Sequence, residues 1–153
     1  MGIGQEYGAI VGVHRDLGAA SASRCALHLP TDASSDSARR ALGEAALIGQ
    51  SCHNLTEIER ATRVDYVTVS PVFGSFSKPS YGPLLGAAGL RALVAAARVP
   101  VIALGGIGIA TVPGLADIGV GGIAIMGEAM SAPNPDSWFA NLLQVWESHC
   151  ASV

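Results

Sequence analysis

The sequence predicts an α/β fold in which about six βα units build a parallel sheet that curves toward a (β/α) barrel without completing one. Three observations carry this expectation. Short apolar runs recur, AIVGV (9–13), CALHL (25–29), ALIGQS (46–51), DYVTVSPVF (65–73), VPVIALGG (99–106) and GGIAIM (121–126), each suited to a strand buried on both faces. Stretches of helical composition lie between them, which implies parallel pairing through right-handed crossovers. Several runs also end in reactive or ligand-like groups: His14 and Asp16, Asp32, Ser51 and His53, Lys78, Gly105 and Gly106, and Gly127 with Glu128. Polar groups at so many strand ends suit convergence on the C-terminal face of a barrel, whereas an open sheet needs only one or two such ends at its switch point.

In chain order, the run at 9–13 is the first strand and 25–29 the second, with His28 expected as a packed residue between two leucines. SDSARRALGEA and LTEIERAT read as helices, the latter beginning near Thr56. The run at 65–73 passes into a loop rich in Gly and Ser that carries Lys78, the one lysine of the chain. AAGLRALVAAAR and TVPGLADIG read as further helices, and DSWFANLLQVWESH closes the chain as an amphipathic helix capped by Asp136 or Ser137. Met126 and Met130 read as core filling.

Composition sets the context. The 153 residues suit one domain (1–153), and a chain half hydrophobic with 14% charge can bury a real core. Net charge is -3, with nine basic residues scattered among twelve acidic ones, so there is no basic stripe for nucleic acid. Cys25, Cys52 and Cys150 are odd in number and lack CxxC spacing, which argues against a disulfide framework or a zinc site and for a reducing, cytoplasmic setting. No apolar run approaches the ~18 residues of a membrane span.

Two constellations could carry chemistry. In GQSCHN (49–54), Ser51 and His53 project from one face of an extended chain and Cys52 from the other. Both polar groups could meet one ligand, and an imidazole can exchange protons near neutral pH. The stretch approaches a G-x-S-x-G nucleophile elbow but has His53 where the second glycine must turn, so an esterase is disfavoured. ALGGIG (103–108) follows a strand and opens a short helix, a setting in which backbone N–H groups approach an anion; an ordinary strand-to-helix turn is the plainer alternative. Thr111 stands where a dinucleotide fingerprint needs its third glycine or alanine. Asp16 and Asp32 are weaker metal candidates, each more often a cap or loop residue.

These elements, in this order, resemble the thiamine phosphate synthase and TenI superfamily, which uses a TIM-type (β/α)8 barrel. The matching pieces are LHL with its polar loop (27–32), IGQSCHNLTE (48–57), DYVTVSPVFGSFSKP (65–79), GPLLGAAGLRAL (82–93), VPVIALGGI (99–107) and GGIAIMGEAM (121–130). The resemblance implies a pocket for a thiazole phosphate lined by Ser51, Lys78 and the backbone at Gly105, Gly106, Met126 and Gly127. In the TenI branch a histidine at the position of His53 moves a proton to complete aromatisation of a thiazole carboxylate phosphate. In the synthase branch the thiazole phosphate is joined to a pyrimidine pyrophosphate with magnesium as cofactor. The TenI assignment is the first expectation here, with His53, Ser51 and Lys78 as catalytic residues and no resident cofactor; synthase and a non-catalytic phosphate binder are the alternatives.

The departures bear on that ranking. Where the family's third strand ends in Asn-Asp this sequence has Gly12 and Val13, and PTDA places Ala33 at the fourth strand's metal position. The first strand here corresponds to the family's third, so the two units that bear the arginine and lysine for the pyrimidine pyrophosphate have no counterpart in the sequence. A six-stranded arrangement leaves two open edges, and closure by a second copy in a homo-oligomer, a curved open sheet, or a start further upstream would each answer that.

Overall fold

A computed structural model describes residues 2–75 and 82–150. Lys78 therefore lies outside the described residues. The described chain packs as two compact units, Met1–Val67 and Thr68–Val153.

The first unit contains α1 (Gly2–Glu6), β1 (Gly12–His14), α2 (Leu17–Ser23), β2 (Ala26–Leu29), α3 (Ser35–Leu42), β3 (Ile48–Cys52) and α4 (Leu55–Arg60), and it ends within β4 (Tyr66–Val69). Its strands β1, β2 and β3 pair in parallel, with His14 opposite His28 and His28 opposite Gly49. Alternation along β2 and β3 divides two faces: Leu27, Leu29, Ile48 and Cys52 are buried, and α2 and α3 pack near these strands. His28, Gly49 and Ser51 occupy the opposite face.

Capping explains the helix starts. Asp16 accepts the Ala19 N–H for α2, Ser34 accepts that of Ser37 for α3, and Asn54 accepts that of Glu57 for α4. α4 thus begins at Leu55 with Asn54 as its cap rather than near Thr56, since Glu57 at the third helical position can return a bond to the chain before the cap. A buried guanidinium ties the unit together. Arg39, 4% exposed, donates to the carbonyls of Arg63, Gly43, Glu44 and Ala46 and to Asp65 Oδ2 at 2.9 Å. Asp65 Oδ2 also accepts the Ile48 N–H at 2.6 Å, which fixes the entry to β3.

The second unit takes up the end of β4 and adds α5 (Gly86–Ala96), β5 (Val101–Leu104), a 3-10 turn (Val112–Leu115), β6 (Gly122–Ala124), α6 (Gly127–Ser131) and α7 (Pro135–His149). Strand β4 stops at Val69 although the apolar run continues to Phe73, because Pro71 has no N–H for a ladder. β5 and β6 are parallel, with Leu104 opposite Ala124. Val69, Val72, Leu90, Ala103, Val112 and Leu115 are fully or nearly fully buried and form the core of this unit. The helix expected over TVPGLADIG is only the short 3-10 turn, consistent with Pro113 and Gly114 inside it. Asn134, rather than Asp136 or Ser137, caps α7 by accepting the Ser137 N–H, because Pro135 fixes the first helical position one residue after it. Met126 and Met130 are 58% and 84% exposed, so they are not core filling; α6 presents them to solvent. No helix among the described residues is long and apolar enough to cross a membrane.

Candidate functional site

The polar face of the first unit is built as a row across its strands. Adjacent register brings His14, His28 and Gly49 side by side, and Tyr66 from β4 lays its ring where Gly49 has no side chain; a Cβ at Gly49 would stand inside that ring. The rings stack in sequence, His14 on His28 at 5.9 Å between centroids and His28 on Tyr66 at 5.7 Å. His28 Nδ1 meets the Tyr66 hydroxyl at 3.2 Å and Nε2 meets Ser51 Oγ at 3.0 Å. A neutral imidazole has one N–H, so one hydroxyl accepts from the ring while the other donates to it. Burial, and secondly the neighbouring His14, lowers the pKa of His28, and burial with the adjacent Asp65 raises that of Tyr66. Both shifts favour the uncharged forms that this network uses.

His28, expected as a packed core residue, is half-buried with two polar partners. Ser51 and His53 are both half-buried and Cys52 between them is buried, as the alternation requires. The main chain at His53 is anchored: its N–H donates to Glu57 Oε2 at 2.6 Å, and Asn54 Nδ2 donates to Glu57 Oε1 at 2.8 Å. The Cys52 thiol is pushed up to about 12 by burial, with Glu57 adding to it, so it remains a thiol and is no nucleophile. Gln50 faces the buried side and donates to the carbonyls of Pro30 and Ala33, fixing the loop that carries Asp32.

The second unit supplies a separate polar end. β5 and β6 finish level with each other, so Gly105 and Gly106 follow one strand and Met126 and Gly127 the other at the same end. Gly105 and Gly106 have φ of 93° and 62°, a region that favours glycine. Space demands glycine as well, since a Cβ on Gly105 would lie 3.0 Å from Pro71 Cα and one on Gly106 2.7 Å from the Phe73 carbonyl carbon. Thr111 Oγ1 braces the loop, accepting the Gly108 N–H and donating to the Gly106 carbonyl, both at 2.9 Å.

For a metal the donor set is poor. Asp16 is engaged in capping α2, Asp32 is exposed, and among the described residues no group of three His, Cys, Asp or Glu side chains could hold an ion. These residues do not fit a resident magnesium. Two concavities lie elsewhere: an open one of about 1180 Å³ whose lining includes Ile3, Ile10, Val11 and Leu47, and one of about 280 Å³ under Phe139, Leu142 and Trp146. Both are mainly apolar and include none of the residues above.

Sequence reasoning missed the roles of Tyr66, Gly49 and Glu57, and it singled out His14 as a strand-end group without pairing it to His28. For Glu57 a capping box, with Asn54 three residues earlier, was a usable signal.

The profile of the family described as thiamine monophosphate synthase, TMP-TENI, matches residues 1–129. A thiamine-phosphate synthase of Levilactobacillus brevis is 37% identical over 87 residues, covering 55% of this chain and 40% of the relative. One of Salinispora arenicola is 41% identical over 100 residues, covering 64% of this chain and 48% of the relative. The chain thus spans about half the length of the curated relatives it matches. Among solved structures, a thiamine phosphate pyrophosphorylase from Pyrococcus furiosus superposes with a TM-score of 0.81 at 26% identity, covering 95% of this chain and 71% of that one. The fold class is accordingly α/β of TIM-type (β/α) barrel kind, incomplete, with six strands among the described residues.

Proposed function

Because the chain belongs to the thiamine monophosphate synthase family, we propose that it forms the thiazole-phosphate side of a thiamine phosphate synthase site. The observation that carries this reading is that the relatives matched over its strands bear the name thiamine-phosphate synthase. In this reading the Gly105 and Gly106 loop, with the backbone at Met126 and Gly127, receives the phosphate. Ser51, bonded to His28 within the first unit, is the serine that the family resemblance assigns to the thiazole ligand. The thiazole nitrogen attacks the pyrimidine methylene while the bond to the pyrophosphate oxygen breaks, and the electron pair leaves with the pyrophosphate. Lys78 would neutralise charge developing there.

The TenI reading, proton transfer by His53 on a thiazole carboxylate phosphate, is favoured by the position of His53 two residues beyond Ser51. The comparisons support the synthase reading better than this one. Incubating the chain with thiazole phosphate, pyrimidine pyrophosphate and magnesium, and following thiamine phosphate by chromatography, separates the readings. Product formation lost in Ser51→Ala supports the synthase, and aromatised thiazole phosphate formed without the pyrimidine supports the tautomerase. Binding of thiazole phosphate with neither product identifies a non-catalytic binder. Self-association that closes the open sheet edges is part of the same proposal, and the molecular mass in solution with and without the ligand tests it.

A further inference from the structure

We propose that Glu128 is a specificity-determining residue of the glycine loop, its carboxylate lying against Gly108 so that a phosphorylated ligand reaches the loop only by displacing it. Gly108 is buried, and a Cβ built on it would collide with Glu128, whose Cδ and two carboxylate oxygens are its nearest neighbours. The carboxylate is therefore seated in a recess that exists only because residue 108 has no side chain. The fold delivers it there directly. β6 ends level with β5, and Glu128 is the second residue of α6, which begins just beyond that end. Thr111 braces the receiving side by bonding both Gly106 and Gly108, and the group that meets it from α6 is the far end of a long side chain. No ion pair neutralises Glu128 among the described residues.

A carboxylate in such a half-buried recess repels a second anion placed beside it. On this proposal the glycine loop discriminates against a dianion and is indifferent to a neutral ligand of the same shape. This inference rests on the reading of the glycine loop as the phosphate end of the site.

Calorimetric titration of the full chain, E128Q and E128A with thiazole phosphate and with the corresponding thiazole alcohol tests it. Both variants are expected to bind the phosphate tighter than the parent by about tenfold or more, E128Q isolating charge from shape, with alcohol affinity unchanged. Equal affinity of all three proteins for the phosphate overturns the inference and leaves the phosphate reading standing. Tighter binding of the alcohol as well as the phosphate also overturns it, since bulk and not charge would then be responsible. Phosphate binding by none of the three removes the phosphate reading and this inference with it.

Discussion

His28 Nε2 lies 3.0 Å from Ser51 Oγ, joining the second strand of the sheet to the third by a side-chain bond on the polar face. Burial holds the imidazole below its ordinary value of 6.5. Between that lowered value and 6.5 the unfolded chain binds the proton more readily than the folded one, so this contribution to stability is complete above pH 6.5 and is lost as pH falls through the folded pKa. Melting temperatures measured from pH 7.5 down to pH 5 are expected to fall, and His28→Gln, which cannot titrate, is expected to flatten the fall. An unchanged slope in the variant would mean that other groups govern it.

Gly49→Ala places a methyl group in the Tyr66 ring. The expected cost is about 1–3 kcal/mol, the usual range for overpacking, and urea unfolding measures it. Adding Tyr66→Ala should recover part of the Gly49→Ala loss; a double variant that loses the sum of both single effects contradicts the assigned contact.

Arg39→Met keeps the stem but removes the head that serves four carbonyls and Asp65. Leaving those acceptors buried is expected to cost about 3–5 kcal/mol. Arg39→Lys should lose nearly as much, because an ammonium has three donors in a compact head and cannot span the same partners. A lysine variant as stable as the parent in urea would refute the geometric account.

Cys52 is 1% exposed and its thiol is raised to about 12. At pH 8 a thiol reagent is expected to leave Cys52 unmodified in the folded protein and to label it promptly in urea, as peptide mass mapping would show. Labelling of Cys52 at the same rate with and without urea would contradict its burial.

The sequence already displayed what is periodic or local. Short apolar runs located the strands, alternation placed Ser51 and His53 on one face with Cys52 on the other, and the Gly105–Gly106 pair marked a loop whose φ values and crowding do require glycine. What escaped is what depends on register. Nothing near Gly49 announces that Tyr66 will cover it, and His28 between leucines looks packed until Ser51 and Tyr66 arrive from neighbouring strands. Met126 and Met130 illustrate the converse: apolar type suggested burial, yet both are exposed at and beside the short α6. The start of α4 was expected near Thr56 and lies at Leu55, because Asn54 with the Glu57 carboxylate sets the cap one residue earlier.

That carboxylate has a consequence in time. Glu57 accepts the His53 amide and a bond from Asn54 while its own amide is held by the Asn54 side chain, a reciprocal clasp across one helical turn. The His53 proton can leave for solvent only when the turn opens, so its deuterium exchange becomes a clock for local opening of this strand end.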